Sequence, residues 1–396
     1  MSRSGLILAV YLPTALLAFG QGLLIATLPL YAADFGVSYG LVSLAVAAAA
    51  IGTLVTDVPA GALLRWFGLR RTMIVGCTLV ALGTFGLAWG QVFGEVVFYR
   101  VLAGVGTALW GLSRHAYIAE AIPPGSRGRA ISVFGGINRI GVFGGPAVGG
   151  IVGTAFGLRA SFALSGILAL VALVLAIIFV KPARSPVKAL SQRARWLTVG
   201  RLVRANGRDL TAASVAQTFA QMIRAGRQFI VPVYGASVLG LDAAEIGFIM
   251  TCASVLDMLM FVPAGIVMDR FGRKVAAVPS FAVMAFGVAL IPLASSYLGL
   301  LGAAAVIGFG NGLGSGTMMT LGADLAPPGA TGEFLGLWRL VGDAGSAGGP
   351  LIVGVMAANF GLTGSAIALS VVGVIATLTL ALLVRETRQS PLEPAT

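Results

Sequence analysis

The sequence predicts an all-α polytopic membrane protein: twelve transmembrane helices forming two pseudo-symmetric six-helix bundles around a central cavity. Three observations lead there. The 396-residue chain is 58% hydrophobic and only 10% charged, whereas a soluble domain carries about 25% charged residues; its mean hydropathy is +0.96. Apolar runs of about 20 residues, the length that crosses a bilayer core, recur from end to end. The two halves of the chain also repeat one another.

The twelve runs fall at 6–30, 40–64, 72–91, 95–117, 130–155, 159–180, 210–235, 244–267, 275–296, 298–322, 334–357 and 361–384. Met1 to Gly5 is too short and too weakly charged for a cleavable signal, and the run that follows is too long, so the first run is read as the first helix.

The halves align at an offset of about 204 residues. Pro59, Ala60 and Gly61 return as Pro263, Ala264 and Gly265, and Phe67 and Gly68 as Phe271 and Gly272. Gly104 and Gly106 return as Gly308 and Gly310. Pro123, Pro124 and Gly125 match Pro327, Pro328 and Gly329, and Gly144, Gly145 and Pro146 match Gly348, Gly349 and Pro350. Six segments per half is an even number, so both halves share one orientation. Such a parallel repeat turns about an axis along the membrane normal and places a substrate site at the midplane between the halves. The expected organisation is an N-terminal bundle over 1–180, a basic linker over 181–209, and a C-terminal bundle with a short tail over 210–396.

The net charge of +12 could suggest nucleic acid, but its distribution argues against that partner. Lys and Arg gather in alternate loops: Arg65, Arg70 and Arg71; Arg127 and Arg129; Arg270, Arg273 and Lys274; Arg385 and Arg388; and, most densely, 181–209. The opposite loops hold Asp34, Glu95, Arg159, Asp242 and Glu245. The positive-inside rule then puts both termini and the linker in the cytoplasm of a multi-pass protein of the cell's inner (plasma) membrane. There the linker rests against anionic lipid. Cys77 and Cys252 fall in different hydrophobic segments and indicate neither a disulfide nor a metal site, and no cofactor is expected. His115, the sole histidine, sits at the end of segment four beside Arg114 and reads as a surface residue. With no nucleophile motif beside it, an enzyme is not expected.

Several of these motifs carry a family resemblance. The stretch GIVMDRFGRK, Gly265 to Lys274, resembles the loop signature of the major facilitator superfamily. The first half keeps its glycine frame in Gly61 and Gly68 but has Arg65 where that pattern expects aspartate. Arg100 to Ala108 is similar to the superfamily's Arg-x-x-x-Gly-x-Gly motif. The run Gly141 to Gly150, with Gly145 and Pro146, resembles the Gly-Pro motif of its twelve-helix drug:proton antiporter branch. The resemblance covers essentially the whole chain. It implies the major facilitator fold, a monomer, and a latch at one face formed by Asp269, Arg270 and Arg273; a purely topogenic role for these basic residues is the alternative. Gly145–Pro146 and Gly349–Pro350 suit helices that flex where the halves meet, because proline removes a backbone hydrogen bond. Tight packing of small residues explains the glycines equally well.

Charges inside the segments narrow the site. Arg100, Arg139, Arg224, Arg227 and Arg339 are accompanied by Asp57, Asp257 and Asp343. A charge at the bilayer centre costs at least about 2.5–3.5 kcal/mol, so these groups should pair. Similar depth, with the segment neighbours that the resemblance implies, proposes two ion pairs across the repeat, Asp57–Arg339 and Asp257–Arg139. Arg339 with Asp343, four residues apart on one helix, is the local alternative. Arg224 and Arg227 are then left near the midplane with no evident carboxylate at their depth. Two guanidiniums three apart on one helical face form a fork suited to carboxylate or phosphate. They are read as substrate ligands, with a structural pairing to Asp343 or Asp34 as the alternative. Gln21, Asn138 and Gln228 add polar groups, and Trp110, Phe229 and Trp338 are candidate apolar lining of the cavity.

No Walker A pattern occurs, so a gradient and not ATP would drive transport. Asp343, then Asp57, are the candidate proton-coupling carboxylates. Segment one carries Gln21 where cation exporters of the resembled branch tend to have an acidic residue. The expected function is therefore a secondary transporter, a proton-coupled exporter of amphipathic neutral or anionic small molecules. Its alternatives are an importer or facilitator of an organic anion, and a translocator of (lyso)lipid whose headgroup meets the arginines. The expected partners are membrane lipids, the small-molecule substrate and protons.

Overall fold

In lipid no water completes a backbone hydrogen bond, so a spanning segment must satisfy its own polar groups, and a helix does so. The computed structural model describes residues 7–121, 124–181, 197, 200, 201, 204, 206–327 and 330–387. At 58, 65, 118–121, 124–135 and 138 it describes the backbone alone. Most of the linker expected at 181–209 lies outside the described residues, as do the side chains of Arg65, Arg127, Arg129 and Asn138.

Twelve long helical segments are present among the described residues: α1 (Ile7–Ala33), α2 (39–67), α3 (69–89), α4 (Phe93–Ala121), α5 (Pro124–Phe156), α6 (Leu158–Phe179), α7 (Gly207–Ser237), α8 (Ala243–Phe271), α9 (Arg273–Leu290), α10 (Tyr297–Asp324), α11 (331–360) and α12 (362–383). Each matches one apolar run of the sequence to within a few residues. The helices α2/α3 and α11/α12 are continuous except at Gly68 (φ 77°) and Gly361 (φ 72°), where the chain turns through the left-handed region.

Those two glycines belong to a set. Positive φ occurs at Gly36 and Gly240, at Gly68 and Gly272, and at Gly157 and Gly361, and each pair sits at the repeat offset. Only glycine enters that region without steric cost, so three turns of each half are fixed by the same residue at the same place. Loop carboxylates set other helix starts. At α8, Glu245 accepts from the Asp242 amide (3.0 Å) while Asp242 accepts from the Glu245 amide (2.8 Å), a reciprocal capping box. At α4, Glu95 accepts from the Gln91 amide at 2.7 Å.

The chain forms two compact units, one of Met1–Pro186 with Val231–Thr251, the other of Val187–Ile230 with Cys252–Thr396. The hairpin 231–251 joins the first unit through α5. The Thr251 hydroxyl accepts from the Ala147 amide (3.0 Å), and Thr154 accepts from the Ala244 amide (3.0 Å). Close glycine contacts hold each unit. A Cβ at Gly104 of α4 would strike the Ala49 carbonyl of α2, and one at Gly308 of α10 would strike the Ala253 carbonyl of α8, the same crossing in both repeats. Likewise Gly145 of α5 rests on Gly22 of α1, and Gly349 of α11 on Met222 and Gly226 of α7. The glycines of both Gly-Pro motifs are thus packing contacts between helix backbones.

Enlarging a residue at such a crossing should cost about 1–3 kcal/mol. Gly145→Val and Gly308→Val are expected to lower the detergent melting temperature. Gly265→Ala, whose Cβ would meet nothing within 4 Å, should leave it unchanged; equal behaviour of all three would contradict the packing assignment.

Candidate functional site

The second unit carries a polar network in the middle of its apolar helices. Arg224 projects from α7, and its Nε donates to Asn311 Oδ1 of α10 at 2.9 Å. Its Nη2 donates to the Gly314 carbonyl at 3.1 Å, and the guanidinium lies 5.0 Å over the Phe281 ring of α9. Asn311 passes the connection on, its Nδ2 donating to Asp257 Oδ2 of α8 at 2.6 Å. Arg227 Nη2 stands 4.0 Å from the same oxygen. Four side chains from three helices therefore form one chain of contacts, Arg224–Asn311–Asp257–Arg227. The amide of Asn311 is oriented by charge on both sides, its carbonyl toward a cation and its NH2 toward a carboxylate.

The backbone takes part because α10 is broken. Residues 314–316 turn, Gly316 adopts φ 81°, and the helix resumes at Thr317. The Gly314 carbonyl, at the turn, accepts from Arg224, from Thr317 Oγ1 at 2.7 Å and from the Thr317 amide at 3.2 Å. Irregular backbone at membrane depth is tolerated where such partners exist.

The network corrects the expectation that the two arginines lack a carboxylate at their depth: Asp257 reaches Arg227 directly and Arg224 through Asn311. Arginine's long stem spans the difference in depth. The side chains remain largely enclosed, with Arg227 13% and Asp257 19% exposed. Arg227 Nε is buried and has no hydrogen-bond partner among the described residues.

The matched positions of the first unit are uncharged and reproduce these contacts only in part. Gln21 of α1 donates to Thr107 of α4 at 3.5 Å, and Thr53 of α2 donates to the Gly104 carbonyl at 3.1 Å. Gln21, Thr107 and Thr53 stand in the repeat where Arg224, Asn311 and Asp257 stand in the second half.

Other expected residues lie elsewhere. Arg339 Nε meets Asp343 Oδ2 at 3.4 Å, the local pairing on α11. Asp57, Arg100, Arg139 and Gln228 are half-buried on α2, α4, α5 and α7. The three aromatic candidates are packing residues. Trp110 (3% exposed) sits in the apolar core of the first unit with Met73 and Cys77. Phe229 is fully enclosed. Trp338 is held by its Nε1 bond to the Met318 carbonyl at 2.9 Å and is stacked on Phe334. An apolar ring fits a core as well as a cavity wall, and sequence alone does not separate the two.

A second network closes the loop-rich end of the second unit. Arg273 Nε donates to Asp324 at 2.8 Å and pairs with Asp269 at 3.5 Å. Glu386, beyond α12, accepts from the Arg273 and Lys274 amides (2.9 and 3.0 Å), and Thr387 donates to Asp324 (2.8 Å). Arg270 is exposed. Lys274 donates to the Ala381 carbonyl at 2.7 Å, as Arg70 donates to the Ile177 carbonyl at 2.9 Å at the matched place in the first unit. There Leu69 replaces Arg273 and is buried. The charge of Arg273 is therefore absent from the first repeat, in addition to the aspartate that Arg65 replaces.

Comparisons with known proteins agree with this architecture. A family model described as Major Facilitator Superfamily matches residues 10–242 and 213–396. An uncharacterized MFS-type transporter of Methanocaldococcus jannaschii is 22% identical over 383 residues, 94% of this chain and 97% of that protein. Multidrug resistance protein 2 of Bacillus subtilis is 28% identical over 180 residues, and the match spans 45% of each chain. Among solved structures, a D-xylose-proton symporter superposes with TM-score 0.79 at 20% identity, over 99% of this chain and 100% of that one. The human organic anion transporter MFSD10 superposes with TM-score 0.68 at 16% identity, over 96% and 100%. These likenesses show the fold.

The network should behave as one cooperative element. Asp257→Leu leaves buried guanidiniums uncompensated and should cost about 3–5 kcal/mol. Asn311→Leu should cost about 1–3 kcal/mol. In detergent melting experiments the double variant should lose clearly less than the sum of the two; strict additivity would show that Asn311 does not link Arg224 to Asp257.

Proposed function

Because the chain belongs to the Major Facilitator Superfamily and is one of its transporters, we propose that it is a secondary active transporter working by alternating access, with proton-coupled export of amphipathic neutral or anionic small molecules as its task. The observation that carries the reading is Arg227, a buried guanidinium with an unpartnered Nε, aligned with Arg224 on one face of α7. Hydrogen bonds to charged groups contribute about 1.5–3 kcal/mol. An anionic group that engages Arg227 competes with Asp257 for it, so ligand and carboxylate are linked through a shared partner. The matched drug-resistance protein, named for multidrug resistance, supports an amphiphilic cargo.

In the same proposal Asp343 and Asp57 exchange the proton, and Asp57–Arg339 and Asp257–Arg139 close one face across the repeat. The Gly-Pro helices flex between states, with both termini in the cytoplasm and the protein a monomer in the plasma membrane. The basic loops and the charged network of Arg273, Asp324 and Glu386 at one end support that orientation. Uptake of an organic anion, or translocation of a (lyso)lipid by its headgroup, is the second reading, and the same arginine fork favours it.

The test uses proteoliposomes with a trapped pH dye, an imposed proton gradient, and a panel of anionic, neutral and cationic amphiphiles. Anions should evoke proton flux opposite to their own movement. Arg227→Ala should weaken apparent substrate affinity about 10- to 100-fold, and Asp343→Asn should abolish the flux. Anion equilibration without proton movement would remove the coupling and leave facilitated or lipid transport. Transport indifferent to Arg227→Ala would remove the clamp.

A further inference from the structure

A groove of about 690 Å³ opens at the loop-rich end of the second unit, between the start of α7, the first turn of α9 and the end of α12. Arg208 and Asp209 reach it from α7, Lys274 from α9, and Leu382 and Arg385 from the end of α12. Three cations thus face one carboxylate, and Asp209 is already engaged by Arg385 Nε at 3.5 Å. Arg208 is exposed, and the Arg385 side chain is 80% exposed. Lys274 is held in place by its bond to the Ala381 carbonyl; an ammonium has three donors, so two remain for a ligand. The nearby Glu386 carboxylate is turned to the Arg273 and Lys274 amides.

The groove also has an apolar approach. Val371, Val374, Leu378 and Leu382 are all exposed on α12 at spacings of three and four residues, one continuous helical stripe ending at the groove. Both α9 and α12 are long and apolar enough to span a membrane, so the groove sits where their spans end. A cationic cup at the membrane boundary, joined to an apolar track running into the bilayer, has the shape and polarity of a phospholipid: phosphate in the cup, acyl chain on the track. Free inorganic phosphate shares the first chemistry but not the second.

We propose that this groove is a binding site for an anionic phospholipid of the leaflet that the basic loops face. It is separate from the midplane network and does not depend on what the transporter carries. Basic pockets between helices at this membrane face suit anionic headgroups, each nearby cation contributing about a fivefold preference.

Purified protein would be incorporated into nanodiscs of phosphatidylcholine with a minor fraction of phosphatidylglycerol, and the lipids retained on release counted by native mass spectrometry. Wild type should retain phosphatidylglycerol preferentially, and Arg208→Gln should reduce that preference about fivefold, whereas Arg208→Lys should keep it. A photoactivatable phosphatidylglycerol should crosslink wild type within 207–215 and 382–385. Inorganic phosphate should not displace it. Equal retention in wild type and Arg208→Gln, or crosslinks confined to other helices, would overturn the site. Displacement by inorganic phosphate alone would show a phosphate site and overturn the lipid assignment.

Discussion

A bilayer supplies no water to complete a hydrogen bond, and the consequences run through this structure from backbone to site. Every apolar run closes its own ladder as a helix. Where a ladder is interrupted, at Gly314 to Gly316 of α10, the carbonyl at the turn must find another donor, and Arg224 and Thr317 supply it. The same requirement governs the arginine: a guanidinium at that depth needs acceptors, and the broken helix is one. The break and the buried charge thus meet at one atom, the Gly314 carbonyl accepting from the guanidinium as well as from Thr317. Asn311 and Asp257 extend the arrangement because a carboxylate in the interior is tolerable only when hydrogen-bonded and paired.

The internal repeat shows which part of the design is geometric and which is chemical. Left-handed glycines, the backbone crossings at Gly104 and Gly308, and the cation-to-carbonyl bonds of Arg70 and Lys274 occur in both units. These are conditions for packing helices closely, where a Cβ would strike a neighbouring backbone. The chemistry differs. One repeat has Gln21, Thr107 and Thr53 where the other has Arg224, Asn311 and Asp257, and Leu69 where the other has Arg273. A duplicated frame thus carries the charged Arg224–Asn311–Asp257 arrangement in one half and an uncharged counterpart at the matched positions of the other.

Segments, turns and repeat were legible in the sequence because each leaves a one-dimensional trace: a run of about 20 apolar residues, a glycine, an offset. The pairing of charges was not. Depth along a helix can be counted from residue number, but the direction in which a side chain points about its axis depends on packing that no single run reveals. Residue number therefore places Arg227 and Asp257 with different partners, although they face each other. Asn311 passed unnoticed as an amide in an apolar run. The signal that could have found it is the glycine-rich stretch from Gly310 to Gly316 in which it sits, a mark of broken helix at membrane depth. Trp110, Phe229 and Trp338 fell to the core for a related reason, since hydrophobicity reports burial and not what a ring is buried against.

If the midplane network is the proposed ligand site, the sign of its charge constrains cargo more firmly than the shape of any one side chain. Within the midplane network two guanidiniums share one carboxylate, so the four residues carry an excess of one positive charge in a low-dielectric surround. A cation approaching them meets repulsion that water does not screen. The Oδ2 atom of Asp257 already accepts from Asn311 at 2.6 Å and faces Arg227. The first unit offers no compensating acid at the matched place, where exposed Gln21 contacts Thr107. At the proposed site a neutral molecule would avoid the repulsion, and an anion would be attracted. Attraction alone does not drive a cycle, however. Transport needs binding that differs between states, and in the proposed site a carboxylate sharing its arginine with the ligand would provide that difference, because whatever loosens Asp257 from Arg227 would strengthen an anion's hold on it.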